Sequence, residues 1–138
     1  VELSSKMALL ARRQSPDSVL IQGDISEIEF CTEQFDVIYA GAVIHLFTYH
    51  DALNLLSKFH SWLKNGGRCF INTTVSAFSE EGYFEKDDYK SSVMRFRRRW
   101  TENELKDTIE SCGFKVIKKS ELNELDRNKH WVAYVGEK

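Results

Sequence analysis

The sequence has a single proline, Pro16, and three cysteines, Cys31, Cys69 and Cys112, with no Cys-x-x-Cys and no Cys/His pairing at metal spacing. Odd in number and widely spaced, the cysteines disfavour a disulfide framework and a zinc module, and are expected as buried free thiols in a reducing cytoplasm. No apolar run approaches the ~20 residues of a bilayer span. No basic and apolar leader opens the chain, so a cytoplasmic protein without a membrane partner is expected. The net charge of −2, from 19 basic and 21 acidic residues, argues against a general nucleic-acid binder. The seven glycines, Gly23, Gly41, Gly66, Gly67, Gly82, Gly113 and Gly136, contain no Gly-x-Gly. His50, His60 and His130 have no acidic companions at ligand spacing, so no metal site is expected.

What is present reads as one soluble α/β domain over residues 1–138, with an insertion or lid at about 75–100. Leu3, Met7, Leu10 and Ala11 repeat at helical spacing behind the N-cap Ser4, and the helix is expected to end before Ser15 and Pro16. Val19, Leu20, Ile21 and Gln22 read as a buried strand ending at Gly23-Asp24-Ile25. Phe35, Asp36, Val37, Ile38 and Tyr39 read as a second, opening into the small turn Ala40-Gly41. After a short apolar turn at Val43, Ile44, Leu46 and Phe47, a helix is expected from Asp51. Ala52, Leu55, Leu56, Phe59, Trp62 and Leu63 share one face until Asn65-Gly66-Gly67 stops it.

A strand is expected over residues 68–73. The polar and aromatic stretch 74–100 is long enough to be functional or to carry structure of its own. Thr101-Glu102-Asn103-Glu104 is a capping box that starts a helix with Leu105, Ile109 and Cys112 inward, closed by Gly113. Two terminal strands, 114–118 and 131–135, are expected as an antiparallel hairpin.

Taken in order, several pieces point one way. They are Glu2-Leu3-Ser4-Ser5-Lys6-Met7, Gly23-Asp24-Ile25, Phe35-Asp36-Val37-Ile38 before Val43-Ile44-His45, Trp62-Leu63-Lys64-Asn65-Gly66-Gly67, and the tail Trp100-Thr101 with Cys112-Gly113-Phe114. This set resembles the class I S-adenosylmethionine-dependent methyltransferases. The resemblance implies a Rossmann-like sheet of order 3-2-1-4-5-7-6, helices on both faces and the last strand antiparallel. It also implies S-adenosylmethionine as cofactor, a small-molecule methyl acceptor and direct displacement.

By that resemblance Glu2 takes the ribose hydroxyls, Leu3 packs on the adenine with Met7 behind it, and Asp24 accepts from the adenine amine. The backbone of Ile25 meets the ring edge, and Ala40 and Gly41 lie against the methionine part, where a larger side chain would collide with the cofactor. The family's first strand and its Gly-x-Gly-x-Gly loop belong before Glu2, where this sequence has only Val1. The expectation is therefore a fragment, N-terminally truncated relative to the family. The alternative is a degenerate, non-catalytic module acting in partner binding or regulation.

Each site residue has a plainer reading beside it. Gly23-Asp24 is also ordinary turn chemistry. His45 is read either as a general base facing the transferred methyl or as a half-buried structural histidine. Arg95, Arg97, Arg98 and Arg99 with Phe96 and Trp100 form either a solvated amphipathic helix turn or a lid. In the lid reading, Arg95 and Arg98 grip an anionic group of the acceptor beside an aromatic wall of Tyr83 and Tyr89.

Overall fold

The computed structural model describes residues 1–86 and 93–138. Read from sequence as one domain, the chain divides into two compact units, Val1–Cys31 and Thr32–Lys138.

In the first unit, α1 (Ser5–Gln14) starts where its cap predicts. The Ser4 side chain accepts from the Met7 amide, and the Ser15 amide closes the helix on the Ala11 carbonyl. Its apolar residues are not inward, however. Leu3, Met7 and Leu10 are 68%, 53% and 47% exposed, and Ala8 is the buried residue of the helix. The strand expected at residues 19–22 does not form either. Gln22 makes one parallel bridge to Glu2, flanked by the Glu2 amide on the Ile21 carbonyl and the Gly23 amide on the Glu2 carbonyl, each 3.0 Å. A strand is held by its ladder, and this ladder stops after one bridge, leaving Val19 exposed.

The second unit is built on a four-stranded sheet. Its strands are β1 (Phe35–Gly41), β2 (Leu63–Val75), β5 (Lys115–Glu124) and β6 (Lys129–Glu137), in the order β1-β2-β6-β5. β1 and β2 are parallel, and β6 runs antiparallel to both of its neighbours. This is the 4-5-7-6 half of the expected sheet, with its reversed last strand.

The helix α2 (Tyr49–Trp62) begins two residues before the expected Asp51, because Thr48 caps it: the hydroxyl accepts from the Asp51 amide and donates to the Asp51 carboxylate. Ala52, Leu55, Leu56, Phe59 and Trp62 form its buried stripe. It stops at Trp62 rather than at Asn65-Gly66-Gly67. There the Glu33 and Gln34 amides take the Ser61 and Trp62 carbonyls at 3.0 and 2.8 Å, satisfying the last turn from outside and freeing the chain for β2. Gly66 still adopts a left-handed φ of +76°, now inside the first residues of β2.

Residues 74–100 do carry structure of their own. Strands β3 (Glu80–Lys86) and β4 (Val93–Arg99) form an antiparallel hairpin, so the arginine run is a strand and not a helix turn. α3 (Glu102–Ser111) follows from its Thr101 cap, with Leu105 and Ile109 buried and Cys112 half-buried. Gly113 ends it at φ +96°, where a Cβ would sit 2.9 Å from His60 Nε2, so glycine alone fits.

One face of the sheet is the core. Cys69, Ile71 and Thr73 of β2 and Val132 and Tyr134 of β6 are buried there, with the apolar stripes of α2 and α3 packed on the sheet. Burial pushes the Cys69 thiol up to about 12. Cys31, expected to be buried, is exposed. On the other face Val37 and Tyr39 are open to solvent at 65% and 73%. No helix among the described residues is long and apolar enough to cross a membrane.

Candidate functional site

In the first unit the parallel bridge sets Glu2 beside Gln22, two residues before Asp24. Each carboxylate is tied down by the amide two residues further along. Glu2 Oε1 accepts from the Ser4 amide at 2.7 Å, and Asp24 Oδ1 accepts from the Ser26 amide at 2.9 Å and from the Ser26 hydroxyl at 2.7 Å. These bonds to Ser26, the hydroxyl foremost, hold the Asp24 carboxyl below its ordinary value and keep it an ionised acceptor. Asp24 is therefore a turn residue and an exposed, fixed carboxylate at once. Leu3 and Met7 are exposed and Ile25 is half-buried.

In the second unit β1 delivers Ala40 and Gly41 to its carboxyl end, with Ala40 buried. The Tyr39 ring stacks flat on Phe70, centroids 4.8 Å apart, and folds over Gly41. A Cβ on Gly41 would lie 2.5 Å from the outer edge of that exposed ring, which would have to swing aside to admit a side chain. Beyond Gly41, Ala42 takes φ +54°, and its amide donates to Asn72. Tyr39, Gly41, Ala42 and Asn72 border a groove of about 400 Å3 that continues along Leu122 and Trp131.

His45 sits on a 3-10 helix (Ile44–Leu46), 6% exposed, with Nδ1 3.1 Å from the Thr73 hydroxyl. Burial, then the nearby positive charges of Arg97 and Lys129, push its pKa down to about 4, so the ring is neutral at pH 7.

The hairpin separates the residues expected to grip an acceptor. Strand alternation puts Arg95 and Arg98 on opposite faces. Arg98 is 8% exposed and committed to the fold. It donates to Glu81 at 2.6 Å and to Glu104, and stacks over the rings of Tyr49 and Trp100 at 4.7 and 4.3 Å. That corrects its assignment to the acceptor: two carboxylates already take its charge. Tyr83 is 70% exposed, with its ring edge-on to Phe96. Tyr89 lies outside the described residues.

Residues 1–71 match the family model of the methyltransferase domain. The chain belongs to the methyltransferase domain family. This methyltransferase-domain chain is 24% identical over 99 residues to an uncharacterized chloroplastic methyltransferase of Arabidopsis thaliana, covering 72% of itself and 27% of that relative. Its fold matches the 1,6-didemethyltoxoflavin-N1-methyltransferase of Burkholderia thailandensis, solved with 1,6-didemethyltoxoflavin and S-adenosylhomocysteine, at a TM-score of 0.77 and 19% identity. That match covers all of this chain and 58% of the other. A second match, an S-adenosylmethionine-dependent methyltransferase of Methanosarcina mazei, has a TM-score of 0.81 at 17% identity, over 99% of this chain and 79% of the other. The chain thus spans about a quarter of the length of the curated relative and little more than half of the Burkholderia enzyme.

Reading the sequence of this methyltransferase-domain chain missed Asn72 and Thr73, which hold Ala42 and His45. A signal existed: two polar residues directly follow the apolar run Cys69-Phe70-Ile71, and asparagine is depleted in strand interiors. Lys129 was also missed, and Arg97 entered only as one member of the arginine run. Neither is ion-paired among the described residues, although both fields reach His45.

Proposed function

We propose that the chain carries S-adenosylmethionine-dependent methyl transfer to a small-molecule acceptor, as a methyltransferase domain or the larger part of one. The observation that carries this reading is the matched pair Glu2 and Asp24. These two acceptor-only groups, on chain segments joined by a parallel bridge, are each immobilised by a local amide before any ligand arrives. Adenosine offers hydroxyl and amine donors, which two fixed carboxylates suit. Glu2 is assigned the ribose hydroxyls and Asp24 the adenine amine, with Leu3, Met7 and the backbone of Ile25 flanking the ring. Ala40 and Gly41 are assigned the methionine part. This acceptor set suits the cofactor that the family implies.

When bound, the cofactor supplies an electrophilic sulfonium methyl for in-line displacement by the acceptor. The chain's own residues then orient and place charge. His45 is a weak base at a pKa of about 4, far below the optimum for taking a proton at neutral pH, so its assigned role is to fix Thr73 and the loop after β1 rather than to deprotonate the acceptor. For an anionic acceptor, Arg97 and Lys129 replace Arg98 as the available cations; Arg95 shares the Arg97 face of the hairpin and stays assigned to the acceptor, whereas Tyr83, opposite Phe96, stands on the other face. The acceptor of the Burkholderia neighbour, a small molecule, favours that class.

The test is release of S-adenosylhomocysteine from S-adenosylmethionine in the presence of a panel of small heterocyclic and phenolic acceptors. Turnover by the chain that Asp24→Ala abolishes supports the reading. Turnover unchanged in Asp24→Ala contradicts it.

A further inference from the structure

We propose that Asn72 is a positioning residue of the cofactor cleft, its side-chain amide clamping the turn after β1 in the left-handed form that presents Gly41 and Ala42. The inference rests on the cofactor reading above and adds a residue to it.

Ala42 has φ +54°, a conformation in which an L side chain crowds its own backbone and which persists only where the surroundings impose it. What imposes it is a single partner. The Ala42 amide donates to Asn72 Oδ1 at 2.7 Å and to the Asn72 carbonyl at 3.2 Å. The longer bond is the next rung of the β1–β2 ladder after the Gly41–Asn72 register pair, and any residue at this position supplies it. The shorter bond needs a side chain with a carbonyl at the right reach. From the other side the turn is bordered by the Tyr39 ring, itself stacked on Phe70, whose outer edge lies against Gly41. Asn72 and the turn it holds border the same groove. The turn's shape is thus set within the sheet and does not wait for a ligand, which lowers the ordering cost of binding.

The experiment compares the unsubstituted chain with Asn72→Ala, Asn72→Asp and the double variant Asn72→Ala/Ala42→Gly. The readouts are calorimetric titration with S-adenosylhomocysteine and amide hydrogen exchange at Ala42. In Asn72→Ala, affinity is expected to fall about tenfold, the worth of one hydrogen bond, and Ala42 exchange to accelerate while Ile38 and Ala40, whose amides face β2, stay protected. Asn72→Asp keeps an acceptor and so keeps Ala42 protected. Adding Ala42→Gly to Asn72→Ala recovers affinity, because glycine holds a positive φ without the clamp. A purely structural role for Asn72 has no such rescue. Equal affinity in the unsubstituted chain and Asn72→Ala overturns this role alone. No binding by the unsubstituted chain removes the cofactor reading and this one with it.

Discussion

Glu2 and Asp24 are fixed by the same device, each carboxylate accepting from the backbone amide two residues further on, with Gln22, the bridge partner of Glu2, close before Asp24. Asp24 has the stronger hold because the Ser26 hydroxyl adds a second bond, and that bond leads the causes that lower its pKa. Ser26→Ala is therefore expected to raise the Asp24 pKa toward its ordinary value without unfolding the turn. A carboxylate NMR titration reads this directly, and an unmoved midpoint would show that the hydroxyl does not bear on the carboxylate.

Arg98 joins β4 to β3 through Glu81 and to α3 through Glu104, and lies against Tyr49 at the start of α2. Its two carboxylate partners are partly exposed and regain water when it is removed, so Arg98→Met is expected to cost about 2 kcal/mol rather than the larger penalty of a fully buried pair. Arg98→Lys should recover little, since an ammonium cannot fork between two carboxylates while stacking on a ring. Urea unfolding of the three proteins measures both; full rescue by lysine would sink the geometric argument.

His45 is neutral in the fold with a pKa near 4, against about 6.5 in an unfolded chain. Between those values the unfolded state binds the extra proton, so stability is fully present above pH 6.5 and is lost as the pH falls toward 4. The loss is on the order of 3 kcal/mol. His45→Gln keeps a partner for Thr73 but cannot titrate. Its denaturation midpoint is expected to be flatter over that window than that of the unsubstituted chain, and parallel curves would remove His45 as the cause.

The three thiols should differ in reactivity. Cys31 is exposed and Cys69 is buried with its pKa pushed up to about 12, so a thiol reagent at pH 8 should label Cys31 quickly and Cys69 only after unfolding. Rapid labelling of Cys69 in the native protein would mean that the core face of β2 opens.

The sequence carried the second unit well because its signals are local and agree with one another. The Leu55-Leu56-Phe59 stripe, the Thr101 capping box and the apolar run of β2 each give the same element that packing then demands. It failed where pairing decides. Val19 to Gln22 has strand composition, yet only one bridge forms; the arginine run has a helical face on paper, yet pairs with β3. Of the proposed site, the sequence offered residue types, Glu2, Asp24 and Gly41, while the residues that hold Asp24, Ala42 and His45 in place, Ser26, Asn72 and Thr73, emerge only from hydrogen bonds that sequence does not display.

The central claim, that this methyltransferase-domain chain binds S-adenosylmethionine through Glu2 and Asp24, is tested most directly by calorimetric titration of the chain and its Asp24→Ala variant with S-adenosylhomocysteine. The account predicts saturable binding at one site, weakened tenfold or more by the substitution, as about 1.4 kcal/mol or more for a charged acceptor requires. A folded chain that releases no binding heat at any ligand concentration, and gains no thermal stability from the ligand, would contradict it.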